Sequence, residues 1–176
     1  MIAGRFTIAT ATPADVPEIH ALIRALAEYE HLTPLCVSTE ADVAQALFGP
    51  RPAAEVLIAR ETQKPDPAAG FALFFHTFST FLGRRTLWLE DLFVRADYRG
   101  TGLGRALLVE LARLAHERDC GRFEWAVLDW NATAIRFYEG LGAAVLPDWR
   151  IARVTGDALA RLARSAPTAR GLRRRD

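Results

Sequence analysis

Two acids stand side by side inside an apolar run, Leu87-Trp88-Leu89-Glu90-Asp91-Leu92-Phe93-Val94. The run has strand character. Neighbouring strand residues point to opposite faces, so Glu90 and Asp91 cannot both meet solvent on a covered sheet. A carboxylate withdrawn from water is costly unless it is paired or hydrogen-bonded. An internal arginine, backbone donors or a cationic ligand can meet that need, and Asp91 reads equally as half of a structural ion pair. Burial also lifts a carboxyl group toward the pH range in which it accepts a proton, which makes Glu90 a candidate general base. Glu124, within Phe123–Leu128, poses the same question less sharply.

Residues 99–104 read Arg-Gly-Thr-Gly-Leu-Gly and precede a strongly amphipathic segment. Glycines let the backbone turn sharply and bring several N–H groups near a ligand. A helix N-terminus adds unpaired donors and a positive dipole end, and together these favour a phosphate or pyrophosphate. Two nucleotide motifs fit poorly. A P-loop ends in Gly-Lys-Ser/Thr, whereas Gly104 is followed by Arg105 and Ala106. A dinucleotide fingerprint counted from Gly100 needs glycine where Arg105 stands. The residues alone leave two readings open: an anion cradle, and a glycine-rich turn that caps a helix. Further on, Asn131 suits a helix N-cap, Phe137 a core position, and Tyr138 either the core or a presented hydroxyl.

The elements that must position these groups follow from periodicity. Arg5–Ala9 alternates as a strand, and Thr12-Pro13-Ala14-Asp15 opens a helix whose Val16, Ile19, Leu22, Ile23 and Leu26 share a face. Thr39–Phe48 is a second helix. Glu55–Arg60, Ala69–Phe78 and Thr86–Val94 are strands. From Leu103 the apolar positions 103, 107, 111 and 114 define a surface helix. Phe123–Leu128 is a buried-type strand, Ala132–Glu139 a short helix, and Ala143–Leu146 and Arg150–Val154 two final strands. Gly156–Ala163 has the pattern of a helical turn. The order β-α-α-β-β-β-α-β-α-β-β implies an α/β (α+β) fold. Its sheet is mixed and mostly antiparallel, with helices on both faces. Residues 1–160 are expected to form one domain and 161–176 a basic, disordered tail.

Composition narrows the classes. A chain of 176 residues with net charge +1 suits one globular domain and does not suit a polyanion binder. The charge is divided: residues 161–176 carry six arginines and one aspartate, which leaves the preceding 160 residues acidic by four. That balance suits a cationic ligand, so an anionic one must be held locally. Cys36 and Cys120 lie in no motif, and the four histidines form no metal-ligand spacing, so no metal is expected. No signal peptide or membrane-length apolar run is evident, and a cytoplasmic location is expected. Lys64 is the only lysine among many arginines, which fits a GC-rich bacterial genome.

Taken together, Leu89–Val94, the Arg-x-x-Gly-x-Gly of 99–104, the Asn-x-x-Ala-x-x-Phe-Tyr of 131–138 and the Leu-Gly-Ala of 141–143 resemble the GNAT superfamily of acetyl-CoA-dependent N-acetyltransferases. The likeness spans about residues 5–154. Leu89–Val94, Asp97–Gly100, Trp130-Asn131 and Tyr29-Glu30 are most similar to its spermidine/spermine and thialysine acetyltransferase branch. Two departures bear on the acceptor: residues 74–81 hold fewer tyrosines than is usual there, with Phe81 in place of tryptophan, and Leu141 stands where a basic residue can occur.

The resemblance implies a donor site for acetyl-CoA. Its backbone contacts come from Leu92, Phe93 and Val94, its pyrophosphate cradle from Arg99, Gly100, Thr101, Gly102, Leu103, Gly104 and Arg105, and its border from Asn131, Ala132, Thr133 and Ala134. It implies Tyr138 as general acid toward the thiolate and Glu90 as the group that takes the amine's proton. Tyr29, Glu30, Glu90, Asp91, Glu124, Trp125 and Ala126 are implied to contact a small cationic amine: a polyamine, a diamine or a thialysine-like acceptor. A homodimer is implied as well, with no nucleic-acid or membrane partner. The alternatives are another amine (an amino acid, a peptide lysine or an aminoglycoside) and a non-catalytic CoA-binding sensor.

Overall fold

The computed structural model describes residues 4–165. By internal packing the chain divides into two compact units, Met1–Ala126 and Val127–Asp176. The first unit contains β1 (Phe6–Thr10), α1 (Val16–Tyr29), α2 (Glu40–Phe48), β2 (Glu55–Glu61), β3 (Gly70–Ser79), β4 (Arg84–Val94), α3 (Leu103–Glu117) and β5 (Arg122–Trp125). The second contains α4 (Ala132–Glu139) and α5 (Gly156–Arg164). The fold is α/β, as the pattern of elements implies.

The five strands lie in the order β1-β2-β3-β4-β5. The first three pairings are antiparallel and β4–β5 is parallel, because α3 carries the chain back between them. One face of the sheet offers Val56, Ile58, Phe71 and Phe93 to Val16, Ile19, Leu22 and Leu26 of α1 and to Val43 and Leu47 of α2. Helix α3 packs on β2, β3, β4 and β5. Its buried residues are Leu103, Leu107, Leu108, Leu111 and Ala115, so the inward stripe runs through Ala115 where periodicity pointed to Leu114. Fully burying a leucine contributes about 1.5–3 kcal/mol. That row fixes α3 along its whole length, including the end that follows the glycine loop.

The start signal at Thr12 acts as read, and the structure adds a second at Thr39. Thr12 N–H donates to Asp15 Oδ2 at 2.6 Å, and Thr39 and Asp42 form a reciprocal capping box, with Thr39 N–H to Asp42 Oδ2 at 2.8 Å. The end of the chain differs from expectation. Among the described residues no strand follows β5, so Ala143–Leu146 and Arg150–Val154 are not the expected sixth and seventh strands. A strand exists only through a partner, and alternation in a sequence does not supply one. Gly156–Arg164 forms α5, so Arg161 and Arg164 of the expected tail close a helix, while residues 166–176 lie outside the described residues. No helix is long and apolar enough to cross a membrane, and no group of three or more His, Cys, Asp or Glu is placed to hold a metal ion, among the described residues.

Candidate active site

Strand β4 carries a break in register that alternation does not reveal. Leu73 pairs with Asp91 while Phe74 pairs with Leu89, so Glu90 is an extra residue in a β-bulge. The bulge separates the fates of the two acids. Glu90 is exposed, with its Oε2 accepting from the Trp88 indole N–H at 2.9 Å, whereas Asp91 is half-buried. The burial expected for Glu90 therefore falls on its neighbour. Asp91 pairs with Leu73 and Phe93 with Phe71, which puts Asp91 on the sheet face that carries the α1–α2 core.

Burial first, and then the nearby carboxylates of Glu90 and Glu30, together push the Asp91 carboxyl up to about 6. Glu30, the C-cap of α1, is itself raised by burial. Nothing cationic among the described residues offsets Asp91, so the reading of it as half of a structural ion pair does not hold. Glu124 behaves differently: it lies 3.3 Å from Arg122 Nε, and β5 register sets it beside Trp88. Trp125 pairs with Leu89, one residue out of phase with Glu124, and so occupies the opposite face, ring to ring with Phe123 at 4.8 Å. Ala126 follows at the end of β5 and is exposed.

Asp91 therefore weakens the fold it belongs to. Its carboxyl titrates near 4 when unfolded and near 6 when folded, so the folded chain holds the extra proton between those values. Stability is greatest below pH ~4 with respect to this group and falls as pH rises through ~6. The cost of ionising it in place is roughly 2–3 kcal/mol. Asp91→Asn is expected to raise the thermal midpoint at pH 7.5 by several degrees, with the gain gone at pH 4. Calorimetric melts at the two pH values test this, and a wild-type chain that is the more stable at pH 7.5 overturns it.

The glycine loop leads into α3. Gly100 and Gly102 adopt φ of +73° and +90°, the left-handed region that glycine occupies without strain. Gly102 is the N-cap of α3, and the first helical bond runs from Ala106 N–H to Gly102 O. The N–H groups of Leu103, Gly104 and Arg105 therefore have no acceptor within the helix. The first turn contains no acid, and Arg105 is exposed beside it. Thr101 Oγ1 donates to Tyr98 O at 2.6 Å and pins the loop. This donor set fits an anionic diphosphate. A second feature lies in β4: β5 pairs with it only from Thr86 to Leu89, so Leu92, Phe93 and Val94 extend beyond β5 with that edge outside the parallel ladder.

Arg99 opens the loop and is exposed. Its guanidinium carbon lies 4.6 Å from the centre of the Tyr29 ring and 5.5 Å from that of Phe93, and its Nε donates to Val94 O at 3.0 Å. It stands on the α1 side of the sheet, with the acids. In the second unit, Asn131 caps α4: its Oδ1 accepts from Ala134 N–H at 3.1 Å. Ala132, Thr133 and Ala134 form the first turn of that helix. Tyr138 is half-buried near its end, its ring 5.4 Å from that of Phe137. Phe137, expected in the core, is 37% exposed.

Periodicity missed the bulge and the stack of Arg99 on Tyr29. Neither leaves a local signal, since both depend on the pairing of distant segments. The match to known proteins is broad. Residues 21–143 match the acetyltransferase (GNAT) family. L-ornithine N5-acetyltransferase NATA1 of Arabidopsis thaliana is 37% identical over 194 residues, which cover 86% of this chain and 85% of that protein. Thialysine N-epsilon-acetyltransferase of Sus scrofa is 35% identical over 164 residues, covering 89% and 96%. Among solved structures, an integron cassette protein from the mobile metagenome of V. cholerae superposes with a TM-score of 0.76 at 27% identity, covering 92% of this chain and 99% of that one. A five-stranded sheet broken by a bulge at Glu90, a glycine loop that opens α3 and relatives that match over most of their length agree: the chain is an N-acetyltransferase of the GNAT family.

Proposed function

We propose that the enzyme moves an acetyl group from acetyl-CoA to a primary amine of a small cationic acceptor by direct attack. The observation that carries the acceptor class is the uncompensated negative charge of Asp91, Glu30 and Glu90 on one side of the sheet. A protein tolerates such a group where a ligand supplies the missing cation. The relatives named for ornithine and thialysine support the same class, since both names denote small molecules with a side-chain amine. Diamines and polyamines share that chemistry.

Acetyl-CoA supplies the reactive thioester. The N–H groups of Leu103, Gly104 and Arg105 hold its diphosphate, and the free edge of Leu92–Val94 aligns its arm. Asn131 to Ala134 border it. An alkylammonium with a pKa near 10 must lose a proton before it can attack. Glu90, exposed at the bulge, takes that proton directly or through a water, and Asp91 behind it holds the charge that keeps the ammonium in place. Backbone donors near Leu92 face the developing oxyanion. Tyr138 returns a proton to the departing thiolate. The apolar residues exposed along the second unit, Trp149 at 77% and Ile151 at 73% among them, support a homodimer as the working state.

Acetylation assays with spermidine, thialysine, lysine and a peptide lysine test the reading. Product from at least one free small amine and none from the peptide is the expected result. A chain that binds acetyl-CoA and acetylates none of them is the sensor of the alternative reading, and the proposal fails.

A further inference from the structure

The bulge that brings Glu90 to the surface also deprives it of neighbours. From Thr86 to Leu89 each residue of β4 is paired on both sides, with β3 and with β5. At Glu90 both ladders stop together: the pairing with β5 has ended, and Glu90 is the extra residue without a counterpart in β3. Its backbone is held by no ladder and its side chain is exposed. A general base works only while its carboxylate stays within reach of the proton it takes, and a displacement of about 1 Å costs on the order of 100-fold in rate.

Trp88 meets that need from the last paired stretch of the strand. It stands opposite Phe75 of β3 and Glu124 of β5, so its backbone is fixed from both sides. It alternates with the buried Leu87 and Leu89 and so lies on the other face. Phe75 is two residues from Leu73, the partner of Asp91, which puts Trp88 and Asp91 on one face of the sheet. The half-buried indole has a single hydrogen to give, on Nε1, and gives it to Glu90 Oε2 at 2.9 Å. Water competes for both groups at this exposed site, so the bond adds little to folding. Its consequence is where the carboxylate stands.

We infer that Trp88 is a positioning residue for Glu90: its indole N–H anchors the carboxylate at the bulge through Oε2, so that Oε1 is the oxygen that takes the amine's proton. This rests on Glu90 being the base, as proposed above. In this role Trp88 touches neither the amine nor acetyl-CoA, and it acts on turnover only through Glu90.

Trp88→Phe keeps a flat ring and removes the N–H. With the free amine that the enzyme acetylates, at saturating acetyl-CoA, kcat is expected to fall about 10- to 100-fold, the worth of a hydrogen bond to a charged group, while the KM of the amine stays within about threefold. The same substitution in a Glu90→Gln background is expected to cost nothing further, because the group it acts through is gone. A loss that persists in full in that background overturns the inference. So does a rise in KM with kcat unchanged, which makes Trp88 an acceptor contact, and so does full activity in Trp88→Phe. If Glu90→Gln alone keeps full kcat, Glu90 is not the base, and the earlier reading fails and takes this one with it. If Glu90→Gln is impaired and Trp88→Phe is not, only the role of Trp88 fails. The contact has its own readout should Trp88→Phe not fold. The chain has four tryptophans, so its proton–nitrogen correlation spectrum carries four indole N–H signals. Glu90→Ala, at an exposed position, is expected to move one of them upfield as the bond to the carboxylate is lost. Four unmoved signals overturn the inference.

Discussion

Tyr138→Phe is expected to lower kcat by about 100- to 10,000-fold while leaving the Kd of acetyl-CoA within about threefold, the range for loss of a positioned general acid. The substitution removes one oxygen and keeps the ring. The contact between that ring and Phe137, 5.4 Å between centres, survives, as does the bond from Ala143 N–H to Tyr138 O that closes α4. A purely structural role therefore predicts a shift in melting temperature with little effect on turnover. An acid role predicts the reverse. A CoA-type thiolate has a conjugate acid near 8.5, so it can leave unprotonated, but a proton delivered during cleavage lowers the barrier. The loss should accordingly be steepest at neutral pH and shrink for a donor whose thiol is more acidic. Single-turnover rates with the variant decide it, and a kcat within threefold of wild type removes Tyr138 from the chemistry.

The features that local chemistry controls were legible in the residues. Thr12 with an acid three positions on marked a helix start, and Thr12 N–H donates to Asp15 Oδ2 as that pattern implies. The glycines at 100 and 102, followed by leucines at 103, 107 and 111, marked a loop that opens a helix with one inward face. What stayed hidden depends on partners far along the chain. The bulge at Glu90 arises where β3 and β4 lose register, and it reverses which acid is buried. Arg99 opens the glycine-loop motif by sequence, and its guanidinium lies over the ring of Tyr29, 70 positions earlier. The two final strands were read from their own residues alone, and a strand needs a pairing partner that neither segment has among the described residues.

Gly102→Val is expected to weaken acetyl-CoA binding by at least about 100-fold, the larger of the two effects expected at the loop. At φ +90° and ψ 1° Gly102 holds a conformation that costs an ordinary residue about 1–2 kcal/mol and a β-branched one more. The chain can relieve that strain only by turning the peptide groups that follow. Those are the groups whose N–H bonds at Leu103, Gly104 and Arg105 point out of the helix end. Because Leu103, Leu107, Leu108 and Leu111 hold α3 to the sheet, the helix stays while its first donors are misaligned. Gly83 provides the control. It has φ +63°, lies in the turn between β3 and β4, and has open space around the place of a Cβ. Gly83→Val carries comparable backbone strain without touching the loop, so it should melt lower and still bind. Gly102→Ala should fall between wild type and Gly102→Val in affinity, and it keeps the test open if the valine variant does not fold. Calorimetric titration of acetyl-CoA into the variants gives the comparison: a folded Gly102→Val that binds like wild type removes the loop from the donor site.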